Sequence, residues 1–217
     1  MREPTISALD RRDDALATAT RAVALAPDDL RALNTRGLIL ETLGRYDDAL
    51  ADFESMLAHQ PNDTDALNNR GLIFARIGQF DEALACYDQS LRLQPEQPQA
   101  LYNRSIVQLS LGDWIGGFRE FESRWQVAPL KAVRLTTLQP LWLGQTDLAG
   151  KTLLLHHEQG YGDTLQCVRY VPLLVRRGAR VVLAVPAALC TLLKALPVIP
   201  TWCRRAIRSR RMTIIAR

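Results

Sequence analysis

The stretch LNTRGLILETLGRYDDALADFESMLAHQP, residues 33–61, decides the fold. Its apolar residues fall at helical spacing on both sides of a break at Gly44, so it reads as two amphipathic helices joined by a tight turn. Glycine suits the left-handed residue that closes the first helix, and Pro61 stops the second. Gly37 and Ala49 are small where the two helices approach each other. Tyr46 and Phe53 supply the bulk that fills the space between hairpins.

Working outward, the pattern repeats every 34 residues. Pro27, Pro61, Pro95 and Pro129 keep that interval, as do Ala15, Ala49, Ala83 and Gly117. So do Gly37 and Gly71; Gly44, Gly78 and Gly112; Tyr46, Phe80 and Trp114; and Phe53, Tyr87 and Phe121. One hairpin cannot bury its apolar face alone, so the units must stack into a solenoid. The pattern resembles the tetratricopeptide-repeat family, which implies a right-handed twist. Residues 30–63 and 64–97 are full repeats. Residues 98–131 are a degenerate one, with Ser105 in place of the first-helix glycine and Gly116–Gly117 loosening the second helix. Residues 10–29 match only a second helix, so either Met1 to Leu9 forms a makeshift cap or the array is shortened.

Stacked hairpins of this kind expose a concave surface built from the first helices. Here it is lined by Asn34, Leu38 and Glu41, then Asn68, Leu72 and Ala75, then Tyr102, Ile106 and Leu109. This surface is expected to bind a protein or an extended peptide. Asn69 and Asn103 recur at one repeat position, with Thr35 interrupting the series. Two readings stay open for these amides: they hold a peptide backbone, as in the asparagine ladder of the O-GlcNAc transferase repeats that these units resemble, or they are solvated polar positions on an amphipathic helix.

After Pro129 the period stops, and residues 132–150 read as a linker with an exposed-looking Leu141-Trp142-Leu143. KTLLLHH (151–157) has strand character and is followed by a glycine turn. DTLQCVRYVPLLVRRG (163–178) is a helical pattern with apolar Leu165, Val168, Val171 and Leu174 or Val175, and ARVVLAV (179–185) is a second strand. Strand, helix and parallel strand make a βαβ unit, which a further helix from Pro186 to Leu196 extends. The expected fold class is therefore mainly α, a solenoid followed by a partial, Rossmann-like α/β segment over residues 151–197. Two strands alone leave an open edge through which the chain could self-associate.

The run EQGYGDTLQCVRYVPLL, with LWLG and the KTLLL strand before it and FESRW before the junction, resembles the start of a bacterial glycosyltransferase domain of the heptosyltransferase, two-Rossmann (GT-B) type. The resemblance implies a sugar-nucleotide-dependent transferase in which Asp163 is the general base. Glu158, Gln159, Gly160 and Gly162 would form the substrate or anion loop. The missing half of that fold implies a truncated segment without activity of its own. From the residues alone, Asp163 and Gln166 also read as a capping box at a helix start, and His156 and His157 as either cleft-facing or structural at a strand end.

Composition sets the remaining limits. With 217 residues, 47% of them hydrophobic, the chain has enough apolar material for one or two packed domains and is neither collagenous nor disordered. Residues 1–163 hold 16 basic and 23 acidic side chains, whereas residues 164–217 hold 11 basic and no acidic ones. Six arginines fall in the last 17 residues, Arg204, Arg208 and Arg211 among them. A shift of reading frame accounts for so abrupt a change better than a selected nucleic-acid-binding tail. Cys86, Cys167, Cys190 and Cys203 lie too far apart for a metal or disulfide framework, so reduced thiols, no metal and no cofactor are expected. Without an apolar leader or a spanning segment, the expected setting is the cytoplasm, away from a membrane.

Overall fold

A computed structural model describes residues 6–128, 140–144, 147–158, 160–194, 201–203 and 214–216. The chain divides into two compact units, the first through Ala132 and the second from Val133. The first is helical: α1 (Ile6–Leu25), α2 (Leu30–Thr42), α3 (Tyr46–His59), α4 (Thr64–Arg76), α5 (Phe80–Leu93), α6 (Pro98–Ser110) and α7 (Trp114–Phe121), followed by a 3-10 turn at Glu122–Gln126.

Each hairpin is closed by the same device. Gly44, Gly78 and Gly112 take positive φ of 73°, 83° and 89°. Around Gly44, the N–H of Arg45 donates to Leu40 O at 2.9 Å and that of Gly44 to Glu41 O at 3.0 Å. The pair recurs from Gln79 to Phe74 and from Asp113 to Gln108, both at 2.9 Å. This is the Schellman closure that glycine permits. The opposite ends are also set locally. Asp29 and Asp63 cap α2 and α4 by accepting from Arg31 and Ala32, and from Asp65 and Ala66. In the third repeat Gln97 holds the cap position without a side-chain bond to the helix N-terminus, and Pro98 starts the helix.

Within a hairpin the contact is glycine against an aromatic ring. A Cβ on Gly37 would lie 2.8 Å from Phe53 Cζ, and one on Gly71 2.8 Å from Tyr87 Cε1. Both rings are fully buried. Phe53 and Tyr87 thus fill the interior of their own hairpin, a closer role than the between-hairpin filling expected of them. In the third repeat Ser105 stands at the glycine position, and Phe121 packs instead beside Tyr102, with ring centroids 5.8 Å apart. Its second helix has 8 residues against 14 in α3 and in α5, in keeping with its two glycines.

The second unit holds β1 (Thr152–His156), α8 (Tyr161–Val168), α9 (Val171–Arg176), β2 (Arg180–Ala184), α10 (Ala187–Lys194), β3 (Thr201–Cys203) and β4 (Ile214–Ala216). β1 and β2 run parallel, with Leu153 opposite Val181 and Leu155 opposite Leu183. Two three-residue strands flank this pair, giving the order β3-β2-β1-β4 with every pairing parallel. Among the described residues the sheet therefore has four strands where two were expected, with the three-residue β3 and β4 outermost.

Further expectations are corrected. The helical pattern over 163–178 is two helices, since α8 ends at Val168 and α9 begins at Val171 with Pro172 in its first turn. The following helix runs from Ala187, with Pro186 just outside it. Trp142 packs on the core of this unit beside Leu148, Leu153, Val171 and Val181, so only Leu143 of the Leu-Trp-Leu run is strongly exposed. Arg204, Arg208 and Arg211 lie outside the described residues.

Candidate functional site

The first helices α2, α4 and α6 lie side by side in the repeat unit. Leu38, Leu72 and Ile106 hold equivalent positions on them, and the outer two are about 40% exposed, at 40% and 43%. Glu41 accepts from Arg76 at 3.2 Å and ties α2 to α4 at the edge of this face. Of the other expected lining residues, Ala75 packs in the cluster holding Tyr87 and Val107, while Leu109 lies over Gly117, where an added Cβ would be 2.7 Å from Leu109 Cγ. Leu109 thus serves its own hairpin, and Ala75 the packing shared by the second and third repeats.

The asparagines form one connected run. Gln99 Nε2 donates to Asn103 Oδ1 at 3.1 Å, and Asn103 Nδ2 to Asn68 Oδ1 at 3.0 Å. Asn68 Nδ2 then donates to Asn69 Oδ1 at 3.3 Å, and Asn69 Nδ2 to Asn34 Oδ1 at 3.0 Å. Asn68 and Asn103 are buried. The amides are thus engaged with one another across the repeat boundaries, an arrangement that neither open reading of these positions included. Asn34 and Asn68 occupy one repeat position and their partners Asn69 and Asn103 the next, so the bonds step by 35 residues against a period of 34.

A second ladder was overlooked, although its signal lay in the same period. Arg36, Arg70 and Arg104 each reach a side chain 16 residues on. Arg36 Nε donates to Asp52 Oδ2 at 2.9 Å; Arg70 Nε lies 3.3 Å from Cys86 Sγ; and Arg104 Nε donates to Glu120 Oε2 at 2.8 Å, with Nη1 on Asp88. The carboxylates raise the pKa of Arg36 and Arg104, and burial raises that of the Cys86 thiol. These pairs hold hairpins together, and Cys86 takes the place of an acid in the middle one.

In the second unit, the carboxyl end of β1 gathers polar groups. His157 extends the pairing through its N–H to Ala184 O at 2.9 Å. Its Nδ1 lies 2.6 Å from Thr164 Oγ1, and its ring is 5.9 Å from that of Tyr161. His156 lies 3.7 Å from Glu158. Gly160 is the N-cap of α8, in extended conformation, which puts Asp163 at the third helical position and overturns the capping-box assignment. Asp163 is exposed, and its carboxylate turns back toward Gly160, 3.4 Å from where a Cβ there would sit. Gly162 lies between them, and Gln159 lies outside the described residues.

Tetratricopeptide-repeat family models match residues 6–73 and 64–97. Together these matches span residues 6–97, from α1 through α5. No curated protein matches the chain. Among solved structures, one of MamA is 17% identical with a TM-score of 0.48, over 61% of this chain and 81% of that one. MamA from Desulfovibrio magneticus is 20% identical, with TM-score 0.48 over 54% and 66%. A tetratricopeptide-repeat protein from Parabacteroides merdae is 23% identical, with TM-score 0.46 over 55% and 49%. Repeats of this kind imply a protein-interaction scaffold, and neither family match reaches the α/β unit. No helix among the described residues is long and apolar enough to cross a membrane.

Proposed function

We propose that the repeats dock an extended segment of a protein partner across the face formed by α2, α4 and α6. The observation that carries this reading is the row Leu38, Leu72 and Ile106, one residue per repeat, at positions left accessible although the amides beside them are buried in the scaffold. Tyr102 widens the row at its third member. Main-chain groups of a peptide would lie along the row and its apolar side chains between the leucines. The amide run serves to keep the three helices in register, with Asn34 and Asn69, both half-buried, at its outer end. Selection of peptides from a displayed random library against the full chain tests the reading. Peptides selected on the native protein should lose binding to a Leu38→Glu, Ile106→Glu double variant; equal binding to the variant sinks it.

A second reading concerns the α/β unit alone. Parallel strands with a glycine loop and an acid at the carboxyl end of β1 support a glycosyltransferase-type segment with Asp163 as base, since ligands of open α/β sheets bind at that edge. Glu158 and His156 beside the loop would then face the acceptor. Sugar-nucleotide turnover by the chain, supplemented with a separately expressed second Rossmann half, should vanish with Asp163→Ala; turnover unaffected by that change excludes the assignment.

A further inference from the structure

Two turns at the amino end of the parallel sheet concentrate positive charge. RRGAR, residues 176–180, joins α9 to β2, and DLAGK, residues 147–151, leads into β1. The backbone holds the two turns together. Gly150 N–H donates to Gly178 O at 3.0 Å, and Arg180 N–H to Lys151 O at 2.8 Å. Gly150 and Gly178 take positive φ of 71° and 83°, and a Cβ on Gly178 would lie 3.0 Å from Ala149 Cα. Lys151, Arg176, Arg177 and Arg180 therefore share one small surface, on which the residues between them are glycine or alanine. All three arginines are exposed.

Their charge is unpaired. Arg176, Arg177 and Arg180 make no ion pair among the described residues, whereas Arg36, Arg76 and Arg104 of the repeats are paired with Asp52, Glu41 and Glu120. Asp147, the one acid of the two turns, accepts from the N–H groups of Leu148 at 2.7 Å and Ala149 at 3.3 Å. The adjoining chain cannot supply what is missing. Residues 129–146 and 181–217 contain no acid, and the latter add seven basic side chains. Like charges gathered so closely repel one another, and an anion relieves that repulsion.

We propose that these turns bind single-stranded nucleic acid through its phosphodiester backbone. A guanidinium matches phosphate oxygens in a bidentate fork, and a strand offers one negative charge at every nucleotide. The glycines and alanines between the cations leave room for the strand to approach. The Arg177 guanidinium lies over the Trp142 ring, 5.9 Å from its centroid, and presents a flat cation on which an unstacked base can lie. An acidic protein is a poorer occupant, because the exposed residues of the turns are charged or small and give it no apolar anchor. A duplex is poorer too, since groove reading takes a helix or a ribbon where only two turns are presented. The site is at the other end of the strands from Asp163 and outside the repeat unit, so the inference depends on neither reading above.

The probe is a fluorescently labelled oligothymidylate of about twenty nucleotides, titrated with the full chain and followed by anisotropy at several salt concentrations. Binding should weaken with salt, log K falling against log salt with a slope of about −2 to −3, as expected for about three or four neutralised phosphates. Arg176→Ser combined with Arg180→Ser should weaken binding about tenfold and flatten that slope by about 1.4. Both side chains are exposed and unpaired, so the fold is retained. Arg11→Ser combined with Arg92→Ser removes the same charge from exposed positions of the repeats and should change neither affinity nor slope. Equal losses in the two double variants would mean attraction by net charge alone and overturn the proposal. It is overturned as well by absence of binding, by binding that the Arg176 and Arg180 substitutions leave unchanged, or by tighter binding to a duplex of the same length. Polyglutamate competing as well as the unlabelled strand would assign the turns to an acidic protein and overturn it equally.

Discussion

Tyr87 and Phe53 hold the same repeat position, yet one carries a hydroxyl that its site does not use. Tyr87 is fully buried, its Oη has no hydrogen-bond partner, and burial pushes its pKa up. Leaving such a group unsatisfied costs roughly 1–3 kcal/mol. The phenyl ring of Phe53 shows that the geometry needs only the aromatic body, stacked on a glycine. Tyr87→Phe should therefore stabilise the protein, by about 1 kcal/mol, seen as a higher urea midpoint at unchanged slope. A lower midpoint would mean that the hydroxyl does structural work. The periodicity made this position legible as an interior aromatic but not the idle hydroxyl, because satisfaction of a buried donor depends on neighbours from other repeats.

Helix ends were the most readable elements and breaks inside apolar runs the least. Gly44, Gly78 and Gly112 act through their own backbone, so their role is written at one position each. The division between α8 and α9 was hidden because Leu165, Val168, Val171 and Leu174 keep helical spacing straight through it, while Pro172 is tolerated in a first turn. Asp163 was misplaced by three residues because an extended Gly160 took the cap. Strands of three residues such as β3 and β4 carry too few alternations to register. At the end of α3, His59 Nδ1 faces Ser55 O at 2.8 Å and Nε2 faces Asp28 at 3.1 Å, so the doubly protonated ring can donate to both. The Ser55 carbonyl first, and Asp28 after it, raise the His59 pKa above its usual value. A raised folded pKa stabilises fully below the unfolded value and fades as pH rises through the folded one. The gap in urea midpoint between the protein and its His59→Gln variant should accordingly be wider at about pH 5.5 than at about pH 8. A pH-independent gap would remove protonation from the account.

At the scale of the molecule, the repeat unit is held by contacts between nearest neighbours, and the polar ones are as periodic as the apolar ones. A linear array of this kind has a stability set by each hairpin and by the interfaces between them. Asn68 sits where three repeats meet, because it accepts from Asn103 of the third, donates to Asn69 of its own, and through it reaches Asn34 of the first. Ser90 and Gln97 make the neighbouring link, with Gln97 Nε2 donating to Asp65 at 3.0 Å. Replacing Asn68 by Ala removes two of the four bonds in the amide run and leaves the buried Asn103 amide without its acceptor, for about 2–3 kcal/mol. Because that loss falls on an interface rather than within a hairpin, it should do more than lower the overall stability. Native-state hydrogen exchange is the measurement that separates the two effects. In the unchanged protein, α2 to α6 should exchange through one common opening. In Asn68→Ala, the amides of α6 and α7 should exchange through a lower-energy opening than those of α2 and α3. If all helices keep a common opening energy after the substitution, the amide run contributes to stability without coupling the repeats. The apolar stacking of Phe53, Tyr87 and their neighbours would then carry the cooperativity alone.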